Sequence, residues 1–168
     1  ARTVDVRDSA TPMAMVDLLT GVYQGRWLSR SSNQVLLSAM ERCVTGKRRM
    51  RALLPEEARV LHKTGTLSNT SSDVGIINTP DGRAIAVAIY VTGQGSKAGR
   101  DARIASIARA ICGMPATALV TPNSRTPRTS SIFCNIGSTA SRIAFVARSV
   151  APTIAVSSSP ATISRSNA

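Results

Sequence analysis

The chain has 168 residues, a formal net charge of +12 and a sequence pI near 11.3. That length suits one domain, and such a charge would ordinarily point to a polyanionic partner. Only five aromatic residues accompany 18 Arg and 3 Lys, a poor basis for a base-stacking platform. Three cysteines without a C-x-x-C, beside a single His, exclude an ordinary zinc site, and no segment reads as a transmembrane span.

Thr11 followed by Pro12 places a hydroxyl at an N-cap and proline at the first helical position. Met13, Val16, Leu19 and Val22 keep a helical apolar spacing until Gly25. A second helix is expected from Ser31, where Ser31 and Gln34 fit a capping box. Val35, Leu36, Ala39, Met40 and Cys43 form its expected buried face, and Thr45 and Gly46 end it. The short link between the two helices suits an antiparallel pair.

Three strands follow, over residues 59–66, 74–78 and 83–92. Thr79-Pro80-Asp81-Gly82 supplies a tight turn between the last two. Residues 84–91 are apolar throughout, as expected of a strand covered on both faces. Ile104, Ile107, Ala108 and Ile111 form one stripe of a closing helix, with Arg100, Arg103 and Arg109 largely off it. The expected class is α+β: two helices, a three-stranded antiparallel sheet and a covering helix. Such a set is incomplete, because the sheet lacks further strands and a second full layer.

Residues 113–168 differ in kind. All nine acidic residues precede position 102, whereas this tail carries five Arg, no Lys and no acid. Pro115, Pro122, Pro127, Pro152 and Pro160 interrupt it, and Ser157-Ser158-Ser159-Pro160 is of low complexity. Ile143-Ala144-Phe145-Val146 has the composition of a strand, with no partner visible in the sequence. Two readings stay open: a disordered basic extension, or translation of a shifted frame of GC-rich DNA, which would favour Arg over Lys.

The most informative residues are His62-Lys63-Thr64-Gly65-Thr66. An ammonium, two hydroxyls and a glycine that permits close backbone approach, set along one strand, suit a carboxylate or a developing oxyanion. Lys-Thr-Gly is associated with class A β-lactamases and penicillin-binding proteins. Pro55, closing Arg49-Met50-Arg51-Ala52-Leu53-Leu54-Pro55, lies eight residues before Lys63. A hairpin, a Gly-rich link and a helix follow, and Arg7-Asp8-Ser9-Ala10-Thr11-Pro12-Met13 opens the series. In this order residues 4–112 resemble the C-terminal part of class A serine β-lactamases; penicillin-binding proteins match the flanking order less well. The domain reading is therefore 1–112 as that part, with 113–168 as an appended tail.

The resemblance implies a β-lactamase-like fold, a small-molecule β-lactam substrate and a serine acyl-enzyme. It implies no metal, no organic cofactor, no nucleic-acid partner, a monomeric parent and export to the periplasm or beyond. Lys63 and Thr66 would be catalytic, and Thr64, Gly65 and Arg49 would bind substrate. Thr66 would also offer its backbone N–H as one of two oxyanion donors. Asp8 would pair with an upstream Arg of the omega loop.

Three family motifs are absent from this sequence. The residues three before Lys47, Lys63 and Lys97 are Val44, Val60 and Gln94, so there is no S-x-x-K. Ser72-Asp73 continues with Val74 rather than Asn, and no Glu begins E-x-x-L-N. The chain alone is thus expected to be inactive and, with uncovered strands, prone to aggregate. His62 reads as a packing residue, because strand alternation turns it away from Lys63.

Two rival classes fit parts of the sequence. Residues 91–99 follow a strand and open a helix as a dinucleotide loop does, but their spacing is G-x-G-x-x-x-G and the expected later acid is missing. A basic nucleic-acid-binding protein would use the cluster at Lys47, Arg48, Arg49 and Arg51, yet no known motif accompanies it.

Overall fold

Thr11 Oγ1 accepts a hydrogen bond from the Ala14 amide at 3.1 Å and Pro12 takes the first turn, so helix α1 runs over Pro12–Tyr23. Gly25, at φ 69°, follows its end. Val16, Leu19 and Val22 are buried as the spacing required. The computed structural model describes residues 9–93, 95–115, 131–138 and 141–150.

Helix α2, Arg30–Glu41, departs from the sequence expectation twice. Its cap is Ser29 rather than Ser31, with Oγ accepting from the Ser32 amide at 3.2 Å. None of its residues is buried: Val35 is 69% exposed and Leu36 36%, while Leu37 and Met40 pack toward the sheet. Apolar residues occupy two sides of this helix and only one side meets protein. Spacing alone could not choose between them.

Strands β1 (Arg59–Leu67), β2 (Thr70–Asn78) and β3 (Ala84–Thr92) form an antiparallel meander. The β2–β3 turn is closed by Thr79, whose Oγ1 accepts from the Arg83 amide at 3.1 Å. Strand β2 starts before the expected position 74 because Ser71 and Asp73, polar as they are, sit buried in the sheet. Helix α3, Lys97–Gly113, is capped by Ser96 Oγ accepting from the Gly99 amide at 3.0 Å. It buries Ile104, Ala108 and Ile111 but also Arg100, which the stripe had placed outside. The Arg100 guanidinium turns inward because the Gly93 and Gly95 carbonyls accept its protons.

Two further strands come from the segment read as an unpaired tail. Strands β4 (Ser131–Ser138) and β5 (Ser141–Val150) extend the sheet to the order β1-β2-β3-β5-β4. The sheet thus has five strands among the described residues rather than the expected three, and part of the segment read as a tail lies in it. Residues 128–151 contain no proline. In β5, Val146 and Val150 join the core on one side, while Ile143, Phe145 and Ala147 pack on the other. That is the two-residue alternation of a strand covered on both faces. Its partner β3 is distant in sequence, so local composition could not reveal the pairing. The expectations for residues 116–130 and 151–168, and for Arg7 and Asp8, lie outside the described residues.

The sheet therefore carries a core on each face. One, under α3 and the 3₁₀ turn Met50–Leu53, centres on Met50, Ile77, Ile85, Ile89, Ile104 and Ile111. The other, under α1, centres on Val16, Leu19, Leu61, Ile76, Ala86 and Val146.

Candidate active site

Strand β1 is an edge strand, so its outer rim pairs with no other strand among the described residues. Successive side chains alternate across the sheet. Lys63 and Gly65 share the parity of Leu61, which packs under α1. His62, Thr64 and Thr66 share that of Val60, which packs under α3. Lys63 is exposed, and its Nζ donates to the Thr64 carbonyl at 2.6 Å. The ammonium is thereby held along the rim of the strand.

Thr64 is fixed from the loop ahead of the strand. Its Oγ1 lies 2.7 Å from Thr45 Oγ1, which in turn lies 3.2 Å from Cys43 Sγ. Gly46 lets that loop rest on Thr64: it has φ 70°, and a Cβ there would come within 2.4 Å of Thr64 Cγ2. Gly65 is required for a different reason, since a Cβ on it would stand 2.5 Å from Ser72 Oγ.

Arg49, named from the sequence as a substrate-binding residue, is held by internal bonds. It is 2% exposed and lies behind the strand rather than on its open rim. Its Nε donates to Asp101 Oδ1 at 2.7 Å, its Nη1 to the Gly65 and Ser72 carbonyls at 2.9 Å each, and its Nη2 to Thr66 Oγ1 at 2.7 Å. Those bonds occupy four of the five N–H groups of a guanidinium. A buried charge needs such saturation, because one left unpaired would be strongly destabilising. These bonds tie the cation to the strand from behind. Since Thr66 Oγ1 accepts from Arg49, its own O–H is left to donate elsewhere, polarised by the neighbouring charge.

Asp101 anchors this arrangement, pairing with Arg49 and, at 2.8 Å, with Lys97. Burial by itself would raise its pKa, but the hydrogen bonds from Lys97 and Arg49 outweigh that and hold it below the ordinary 3.8. Beside it, His62 Nδ1 lies 2.8 Å from Asp73 Oδ1, both side chains being fully buried. Asp73 Oδ2 accepts from the Met50 amide at 3.1 Å. His62 belongs to the interior, and Asp73 ties β1 and β2 to the 3₁₀ turn.

Sequence reading missed Thr45, Asp73 and Asp101. Asp101 sits four residues after Lys97, a helical ion-pair spacing that was available. Asp73 keeps the two-residue parity of Ile77 but was read as loop.

On the α1 side of the same strand a cavity of about 580 Å³ opens against Met15, Gly65, Thr66, Ser72 and Tyr90. Burial raises the Tyr90 phenol above its usual pKa. Among the described residues, no group of three or more His, Cys, Asp or Glu is placed to hold a metal ion. None of the described helices is long and apolar enough to cross a membrane. The arrangement can present an ammonium and an oriented hydroxyl to an anionic ligand beside this cavity. Among the family's expected catalytic motifs, it has no counterpart of the S-x-x-K serine.

Residues 2–114 match the sequence profile described as the β-lactamase enzyme family. β-Lactamase VEB-1 of Pseudomonas aeruginosa is 34% identical over 90 residues, covering 49% of this chain and 30% of that protein. An ancestral class A β-lactamase has 39% identity and a TM-score of 0.60, with 65% of this chain and 43% of that one covered. A β-lactamase from Chitinophaga pinensis has 35% identity and a TM-score of 0.59, with 61% and 41% covered. The chain thus spans about a third of the length of its curated relatives.

Proposed function

Because the chain belongs to the β-lactamase enzyme family, we propose that it supplies the carboxylate-binding wall of a class A serine β-lactamase. In that reading the whole enzyme opens a β-lactam by attack of a serine hydroxyl, and water then hydrolyses the acyl-enzyme. Lys63 attracts the substrate carboxylate and helps position the reacting hydroxyls. Thr64 and Thr66 donate hydrogen bonds to the carboxylate and to the substrate amide. The Thr66 backbone N–H is one of two oxyanion donors. Gly65 allows the substrate to approach the strand closely. Arg49 belongs to the same wall as a positioning residue, acting through Thr66.

The bond set from Arg49 to Gly65, Ser72 and Thr66 carries this reading. It fixes the tripeptide's backbone and one hydroxyl in advance, which is how a site stabilises charge without reorganising at the moment of reaction. The sequence contains no S-x-x-K, S-D-N or E-x-x-L-N, and acylation needs a nucleophile with a base in reach. The isolated chain is therefore inactive, and the enzyme that uses this wall is exported. A nucleic-acid-binding role would rest on Lys47, Arg48 and Arg51, which are exposed, since Arg49 is buried in internal bonds.

The test is complementation. The chain is mixed with the amino-terminal part of a class A relative, and turnover of a chromogenic cephalosporin is followed. Turnover should appear with the native chain and fall at least about tenfold with Lys63→Ala, which corresponds to about 1.4 kcal/mol of lost transition-state stabilisation. Equal turnover with the Lys63→Ala chain would overturn the assignment.

A further inference from the structure

The family match ends at residue 114, yet the sheet does not end there. Strand β5 lies along β3 over its whole length, from Ala84 opposite Val150 to Thr92 opposite Arg142. We propose that strands β4 and β5 are an intramolecular cap, a hairpin that seals the β3 edge and blocks any other strand from pairing there.

Three observations converge. First, the β1 rim carries Lys63 and Thr66, so a strand that leaves those residues free can be added only beyond β3. Second, β3 is apolar and buried along most of its length. Left open, such an edge is a template for pairing with another chain. Third, β5 fits both faces at once. Val146 and Val150 enter the core under α1, while Ala147 enters the core under α3. Arg148 then fastens the hairpin to α1, donating to Asp17 Oδ1 and touching Met13 Sδ at 3.3 Å. A strand lying on the sheet by chance would not satisfy both faces and a side-chain anchor together.

One consequence rests on the β-lactamase reading. The chain covers 43% of the ancestral enzyme it superposes on, and any strand from the remainder that pairs with β3 must displace this hairpin. The cap is then autoinhibitory toward reassembly.

The experiment uses the full chain, amide hydrogen exchange and light scattering. In a strand paired on both sides, alternate β3 amides face β2 and β5. The native chain should be monomeric, with the β5-facing amides of β3 exchanging at least tenfold more slowly than amides on the β1 rim. Ala147→Pro removes a ladder donor in mid-strand. It should speed exchange at alternate β3 positions at least tenfold and cause self-association, while α3 stays protected. Unchanged exchange and mass in Ala147→Pro would overturn the cap. Should that variant unfold throughout, the native chain still decides: rim-like exchange at the β5-facing amides of β3 refutes the proposal. Ala147→Pro should also accept an added family amino-terminal part more readily than the native chain does. If the exchange result holds and that gain is absent, the autoinhibitory consequence fails while the cap stands.

Discussion

The two faces of the sheet are built to different standards. Toward α3, the polar side chains that enter the interior find partners: Arg49 pairs with Asp101, His62 Nδ1 lies against Asp73 and Arg100 donates to backbone carbonyls. His62 Nε2 is buried with no hydrogen-bond partner among the described residues. The apolar residues Ile104 and Ile111 fill the space between. Toward α1 and α2, one helix packs and the other lies on the surface. Leu18, Trp27, Leu28, Val35 and Leu36 are all exposed there. The K-T-G strand between them is thus held firmly from behind and left open in front. Its preorganisation is a property of the α3 side alone.

That asymmetry should be measurable in unfolding. Ile104→Ala, on the closed face, should cost about 2–5 kcal/mol in denaturant titration. Val35→Ala, on the open face, should change stability by no more than about 0.5 kcal/mol. Similar losses at both positions would break the distinction. Asp73→Ala should cost about 1–3 kcal/mol, because it leaves the Met50 amide and His62 without their acceptor in a buried site. A neutral Asp73→Ala would mean that the network behind β1 does not hold it.

Acid sharpens the same contrast. The Asp101 carboxyl titrates below its ordinary 3.8 in the folded chain. Its contribution is therefore complete above the unfolded value and disappears as pH falls through the folded one. The urea midpoint of the native chain should drop on acidification below about pH 4. In Asp101→Asn part of that drop should be missing, the contribution having been lost at all pH values. Parallel curves for the two would remove Asp101 from the account. The smallest effect is expected from Val35→Glu, which should lower binding of an apolar-surface dye while leaving the melting temperature within a few degrees. Unchanged dye binding would place the open face elsewhere.

Much of this organisation was legible in the residues. Thr11-Pro12 announced α1, the Thr79–Gly82 turn announced the hairpin, and Lys63-Thr64-Gly65 lay on the strand where spacing from Pro55 put it. The failures share a cause. Residues 35 and 36 of α2 are apolar at helical spacing, but whether that side is covered depends on what lies opposite. The β5 strand looked unpaired because β3, its partner, lies some fifty residues earlier in the chain. The bonds of Arg49 to Asp101 and to two carbonyls were likewise not legible in the local sequence. Long-range burial, rather than local propensity, decided each case.

The central claim is that this chain holds a binding wall without the nucleophile it would serve. Intact-mass measurement tests it most directly, using purified chain incubated with a chromogenic cephalosporin in excess. The account predicts no turnover and a protein mass unchanged throughout. A stoichiometric acyl adduct on any serine of this chain would contradict it.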